Sequence, residues 1–227
     1  AKEKGISILG DSAESLGAIY KDSPIGSQVD LHSFSFFGNK NITTGEGGML
    51  TTNNESLANE LKILRNQGQE SRYNHTRLGF NYRMTELQAA IGIVQLESLE
   101  SRMLAKEKIV NTYNDYFSLC ENIRIPFVPN YVTRHSWYMY TIEVDEKINR
   151  DQIVYELDKA GIETRLSFPP VHIQPYYIKK FGYKKNDYPT SLKAWEKLIN
   201  LPISPNLSKV DQEYVMEKTS SIVKRNS

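Results

Sequence analysis

Cysteine, net charge and long apolar runs are all scarce in this chain. One cysteine, Cys120, in 227 residues leaves no partner for an internal disulfide and no thiolate set for a structural zinc. A single thiol in such a setting is expected as a small buried hydrophobe. The four histidines, His32, His75, His135 and His172, stand too far apart for metal-ligand spacing. Lysine and arginine total 28 against 27 acidic residues, a net charge of +1, so no field favours nucleic acid or an anionic membrane surface. No run approaches the ~20 apolar residues of a membrane helix. Ala1-Lys2-Glu3-Lys4 is not followed by a signal-peptide core, and the cytoplasm is the expected location. The remaining composition, 39% hydrophobic and 24% charged, is that of a globular protein of one or two domains.

What the chain does have is one unusual stretch, Phe34-Ser35-Phe36-Phe37-Gly38-Asn39-Lys40, followed by Thr44-Gly45-Glu46-Gly47-Gly48. Aromatic neighbours can strip water from the Lys40 ammonium and leave its amine a better nucleophile. The glycines allow positive φ or a close backbone approach to a bound group. Ser35 adds a hydroxyl to the same segment. Lys40 is therefore a candidate Schiff-base former, and the competing reading is a solvated lysine beside a hairpin turn.

Around it the chain predicts alternating strands and helices. Gly5–Gly10 has the brief, glycine-bounded apolar run of a buried parallel strand, with Asp11 at its carboxyl end, the edge where open α/β sheets bind ligands. Asp11-Ser12-Ala13-Glu14 equally has the spacing of a helix capping box. Val29–Phe37 predicts one or two strands and Gly48–Thr52 a return strand. Asn53 or Asn54 caps a helix with Leu57, Leu61 and Leu64 on one face. Residues 66–83 are too polar for a core and predict a functional loop. Thr85 and Gln88 have capping-box spacing before an apolar stripe of Leu87, Ala90, Ile91, Val94 and Leu99. The helical pattern continues to about Leu119, with a bend expected near Ser101. In the second half we expect a strand over 136–144, a helix from Asn149 to Ala160 stopped by Gly161, a short strand over 162–166, a helix over 191–200, and a last helix capped by Ser208 with Val210, Tyr214 and Val215 inward. The expected domains are 1–102 and 103–227, the second a small α+β domain.

A carboxylate at a strand end and a lysine in a serine-aromatic-glycine setting are the pair that pyridoxal phosphate (PLP) requires. Its ring nitrogen needs an acid partner, its aldehyde needs an amine, and its phosphate needs hydroxyls and N–H groups. Asp11–Ala18, Gly26-Ser27, Phe34–Lys40, Thr44–Gly48, His75, Leu78-Gly79, Asn81–Met84, Glu86–Ala90 and Gly92 together resemble the DegT/StrS sugar aminotransferases. The resemblance covers nearly the whole chain and is strongest from Asp11 to Leu99.

The resemblance implies an α/β fold: part of a fold-type-I PLP-transferase large domain, a mainly parallel sheet with helices, followed by the small α+β domain. By position it implies Lys40 as the Schiff-base lysine and proton shuttle, Asp11 on the pyridinium nitrogen, Ala13 against the ring, and Ser35 on the phosphate. Glu14 falls where many members have glutamine, near the cofactor's phenolic oxygen. Asn81 would reach the phosphate of a neighbouring subunit, which implies a homodimer with shared sites; a turn residue is the competing reading. His75 and Arg83 are assigned to that interface or to substrate phosphates, against ordinary surface polarity. His172 and Arg165 would face a nucleotide-linked 4-keto-6-deoxy sugar or its diphosphate, against a solvated loop histidine and an arginine paired with a nearby carboxylate.

The implied reaction moves an amino group, with glutamate as the expected donor, to a sugar keto group for polysaccharide or glycoconjugate synthesis. Alternatives are a dehydratase of the same fold, whose members replace the lysine with histidine, and a non-catalytic regulatory or scaffold relative. Family members are longer, so a fragment of a larger enzyme is expected, with further sheet strands and a ring-stacking aromatic elsewhere.

Overall fold

The computed structural model describes residues 1–227, the side chain of Lys2 excepted. In chain order its elements are β1 (Leu9–Asp11), β2 (Ile19–Tyr20), β3 (Ser23–Pro24), β4 (Leu31–Ser35), β5 (Gly48–Thr51), α1 (Glu55–Arg65), β6 (Gln69–Ser71), β7 (Asn74–His75), α2 (Glu86–Glu97), α3 (Leu99–Phe117), β8 (Ile123–Arg124), β9 (Val132–Arg134), β10 (Tyr140–Val144), α4 (Arg150–Lys159), α5 (Pro175–Phe181), α6 (Pro189–Trp195), β11 (Leu198–Leu201) and α7 (Lys209–Arg225). They form two compact units. The first is Ala1–Met103 with Val128–Tyr138, the second Leu104–Phe127 with Met139–Ser227. The segment 128–138 thus returns to the first unit after α3 has left it.

In the first unit, β4 is the centre of a three-stranded sheet in the order β1-β4-β5. It pairs parallel with β1 (Gly10 opposite His32, Asp11 opposite Ser33) and antiparallel with β5 (Ser35 opposite Gly48). Phe34, Phe36 and Ile42 are buried as a small core, with Leu16, Ile25, Met84 and Leu99 packed against it. The expectation of a buried first strand is corrected: Ile6, Ile8 and Leu9 are exposed. Among the described residues β1 pairs only with β4, so nothing covers the apolar run that its sequence prepares for burial.

The caps predicted for α1 and α2 are present. Asn54 accepts from the Leu57 amide, and Thr85 and Gln88 form a reciprocal capping box. The bend lies at Ser98 rather than Ser101. There the Ser98 hydroxyl donates to the Gln95 carbonyl and accepts from Arg102 Nε, local bonds that interrupt the helix. The apolar stripe of α2 is not a core face, because none of its residues is buried. Residues 66–83 hold the short hairpin β6–β7. It is tied to α1 by backbone bonds from Phe80 to Leu64 and from Gly68 to Ile63.

The second unit has a sheet in the order β11-β10-β8, flanked by α4 and α7. Tyr113, Phe117, Tyr140, Ile142, Ile153, Leu157, Ile199 and Val223 are fully buried in it. The Tyr113 and Tyr140 rings lie 4.9 Å apart, and burial pushes both phenols well above their usual range. Asn149 caps α4, and Gly161 follows its end at φ +77°, as expected.

Four expectations are corrected here. The strand over 136–144 begins only at Tyr140, because Trp137 lies at φ +43°. Residues 162–166 contribute a single bridge, Arg165 to Asn200. The helix over 191–200 ends at Trp195 and gives way to β11, whose apolar residues pair with β10. On α7, capped by Ser208, Val215 is buried but Val210 and Tyr214 are exposed. The buried residues Gln212, Val215, Met216, Thr219, Ile222 and Val223 mark the inward stripe.

Thr219 Oγ1 on that stripe is buried without a hydrogen-bond partner. An orphaned buried hydroxyl costs about 1–3 kcal/mol, and an apolar isostere removes that cost. Thr219→Val is expected to raise stability by about 1 kcal/mol, read as a higher Tm. A lower Tm would mean the hydroxyl is satisfied in solution.

Candidate active site

The parallel pairing of β1 with β4 brings Asp11 and Ser35 to the same carboxyl edge of the sheet, and Lys40 lies in the connection that leaves that edge. Asp11 is exposed at the strand end, with Oδ1 accepting the Ala13 amide at 3.1 Å. The capping-box alternative for Asp11 and Glu14 does not hold. Residues 12–18 form tight turns, Ser15 N–H to Ser12 and Ala18 N–H to Ser15, with Gly17 at φ +88°. These turns direct Glu14 back toward Lys40, and Glu14 Oε1 lies 3.5 Å from Lys40 Nζ. Ser35 Oγ accepts the Phe37 amide at 3.3 Å, which leaves its O–H proton to donate elsewhere.

The Lys40 ammonium is mostly enclosed, its side chain 14% exposed. The ring it stacks on is not one of the neighbouring phenylalanines but Tyr138, 4.4 Å from Nζ to the ring centroid. Phe34 and Phe36 turn into the core, while Phe37 is exposed. Tyr138 arrives on the segment 128–138, which two polar residues fasten to the site. Asn41 donates to the Ser136 carbonyl at 2.8 Å and to the Leu16 carbonyl at 3.0 Å, and Ser136 Oγ donates to the Glu14 carbonyl at 2.7 Å. In the same segment His135 accepts the Trp137 amide, and burial holds its imidazole below the ordinary range. The competing picture of Lys40 as a solvated surface lysine is not what the structure has.

The glycine turn is built as its sequence requires. Gly45 and Gly47 take φ +79° and +155°. A Cβ on Gly48 would lie 2.7 Å from the Phe34 carbonyl oxygen, so only glycine lets β5 close on β4 there.

The remaining expected residues are on the polar loop of the first unit and in the second unit. His75, Asn81 and Arg83 are all exposed on the polar loop. His75 Nδ1 donates to the Gln67 carbonyl at 2.9 Å, and Arg83 Nε donates to Asn81 Oδ1 at 3.0 Å, which leaves the Asn81 amide hydrogens to donate. In the second unit, Arg165 is exposed and bridges Asn200 through its backbone. His172 is buried, with Nε2 hydrogen-bonded to the Lys185 carbonyl at 3.0 Å and its ring against Tyr188. This is neither a solvated loop histidine nor one displaying Nε2.

The sequence reading missed Tyr138, Asn41 and Ser136. The residue after a candidate lysine and the Ser-Trp-Tyr run opening the expected strand over 136–144 were visible. Their meeting across nearly a hundred positions was not.

Residues 1–220 match the DegT/DnrJ/EryC1/StrS aminotransferase family. The chain is 38% identical over 228 residues to a GDP-perosamine synthase of Caulobacter vibrioides, covering 98% of this chain and 60% of the relative. It is 36% identical over 240 residues to the spore coat polysaccharide biosynthesis protein SpsC of Bacillus subtilis, covering 99% and 61%. Among solved structures, a putative sugar aminotransferase of Streptococcus pneumoniae in its PMP form superposes with a TM-score of 0.90 at 30% identity, covering 97% of this chain and 58% of that one. S. venezuelae DesV in complex with a ketimine intermediate superposes with a TM-score of 0.92 at 28% identity, covering 100% and 60%. The chain spans about three-fifths of the length of the relatives it matches. Its mixed α/β architecture is that of fold-type-I PLP aminotransferases, and the chain belongs to the DegT/DnrJ/EryC1/StrS aminotransferase family.

Proposed function

We propose that this chain is the lysine-bearing part of a PLP-dependent aminotransferase that aminates a keto group of a nucleotide-linked sugar, on the path to a polysaccharide or glycoconjugate. The observation that carries the reading is the gathering of Asp11, Ser35 and Lys40 at one strand edge, with Lys40 Nζ enclosed by Glu14 and Tyr138. That set fits pyridoxal phosphate: an acid for its ring nitrogen, a hydroxyl for its phosphate and an amine for its aldehyde carbon. When bound, the cofactor supplies an electron sink for the carbanion formed at the donor's α-carbon.

The chain's own residues do the rest. Asp11, with Oδ1 held by the Ala13 amide, would keep its other oxygen for the ring N–H, and Ala13 would lie against the ring. Ser35 would give its proton to a phosphate oxygen. Lys40 Nζ, as general base and then acid, would take and hold the α-proton of the donor. Glu14 and the Tyr138 ring hold the ammonium form of that amine in place between transfers. The same groups repeat the transfer in reverse on the sugar ketone.

The polar loop suits a second copy of the chain. Asn81, with donors available, would reach the other copy's phosphate, and Arg83 and His75 would line the shared boundary. Beside them Tyr73, Leu78, Phe80, Tyr82 and Leu87 are exposed, an apolar area of the kind buried in a homodimer. Arg165 and the segment around His172 are assigned to the sugar nucleotide, with glutamate as amino donor and a 4-keto-6-deoxy sugar as acceptor. The relatives named GDP-perosamine synthase and spore coat polysaccharide biosynthesis protein support that substrate class.

The test is mass spectrometry of products from the full-length protein, given PLP, glutamate and a panel of nucleotide-linked keto sugars. One sugar is expected to exchange its carbonyl oxygen for an amine. Loss of water from the sugar without nitrogen gain would indicate a dehydratase. No product, with no uptake of cofactor, would indicate a regulatory relative.

A further inference from the structure

His32 is buried against the residues on either side of Asp11, and no step proposed above uses it. It is 5% exposed. On the parallel pair it stands opposite Gly10, and its ring occupies the room a side chain at position 10 would need. A Cβ on Gly10 would lie 2.7 Å from His32 Nδ1 and 2.9 Å from Cε1. Glycine at 10 and histidine at 32 are therefore a matched pair.

The hydrogen bonds fix the tautomer. The Gln28 amide points at His32 Nε2, 3.2 Å away. A backbone N–H only donates, so Nε2 carries the lone pair and the ring proton sits on Nδ1. Nδ1–H then donates to Ser12 Oγ at 2.8 Å. Ser12 is itself buried, and its amide donates to the Ser33 carbonyl at 2.8 Å. One imidazole thus grips both chain neighbours of Asp11: it packs on Gly10 and hydrogen-bonds Ser12.

We infer that His32, in its Nδ1–H tautomer, is a positioning residue that aims the Asp11 carboxylate at the cofactor's ring nitrogen. It touches neither cofactor nor substrate. The inference rests on the proposed PLP chemistry. Its physical basis is that a strand-end carboxylate has few packing restraints of its own, so alignment comes from the buried groups on either side of it.

The experiment uses the full-length protein with His32→Leu, which keeps bulk but removes both ring nitrogens, and His32→Asn, which retains a donor near the position of Nδ1. PLP affinity is measured by titration, together with the pH midpoint of the visible band of the lysine-bound cofactor. His32→Leu is expected to weaken PLP binding about tenfold, as a loosened Asp11 gives up most of its own hydrogen bond to the ring nitrogen. The band midpoint is expected to move upward, because a ring nitrogen that holds its proton less firmly withdraws less charge. His32→Asn is expected to recover most of both. A purely packing role would leave the band midpoint unmoved, and that result overturns the inference.

A second measurement needs no variant. Nitrogen NMR of the cofactor-free wild type is expected to find Nδ1 protonated on His32, and a protonated Nε2 in its place would overturn the assignment. If the wild type takes up no PLP, the functional reading fails and this inference with it. If the wild type binds and His32→Leu binds equally well with the same midpoint, only this inference fails.

Discussion

On the proposed function, Lys40→Ala in the full-length protein is expected to abolish amino transfer, with a loss of about 10⁴-fold or more, the scale of a combined nucleophile and proton carrier. The borohydride-bleachable visible band disappears with it. Stability changes little, because the Lys40 to Glu14 pair spans 3.5 Å with the Glu14 side chain 47% exposed, and such pairs are worth about 0–1 kcal/mol. Lys40→Arg sharpens the test. An arginine keeps a cation over the Tyr138 ring and beside Glu14, yet it is no nucleophile and cannot give up its proton. It is expected to match wild type in Tm and to match the alanine variant in activity. Activity surviving in either variant would remove Lys40 from the chemistry.

Gly68→Ala is expected to damage the protein most at a position remote from Lys40. Gly68 lies at φ +72°, and an added Cβ would fall 1.8 Å from the Arg77 carbonyl oxygen, an overlap no rotamer relieves. The backbone has little freedom to yield, since Thr76 donates to the Gly68 carbonyl, Gln67 to Phe80 and Phe80 to Leu64. The cost is on the order of 3 kcal/mol, strain and lost hydrogen bonds together. It falls on the loop that carries Asn81 and Arg83, proposed to meet a second copy, so the variant is expected to lose several degrees of Tm and, on that proposal, self-association, followed by thermal melts and light scattering. Gly45→Ala is the control. Gly45 has φ +79° but nothing within 4 Å of the added Cβ, so only the left-handed penalty of about 1–2 kcal/mol applies.

The sequence was most legible where local chemistry decides structure. Asn54, Thr85 with Gln88, Asn149 and Ser208 all cap the helices predicted for them, because a cap depends on residues three apart. Asp11, Ser35 and Lys40 were identifiable because each ends or follows a strand with a distinctive composition. Burial was less legible. The Ile6–Leu9 run and the α2 stripe have the patterns of core elements and yet are exposed, since a pattern records what an element is suited to bury and not whether a cover is present. Residues 196–200 differ from the expected helix because a buried strand next to a helix continues its apolar run without a break in periodicity. Tyr138 and His32 were invisible for a different reason. Each acts through a contact between segments whose register only the folded sheet sets.

The open flank of β1 carries a practical consequence. Its backbone is hydrogen-bonded on one side only, and Ile6, Ile8 and Leu9 form an uncovered apolar strip along it. A separate polypeptide bearing compatible strands would find its docking template already laid out. Residues 1–227 produced by themselves are therefore expected to associate along this strip, and a charged residue in place of Ile8 is expected to weaken that association.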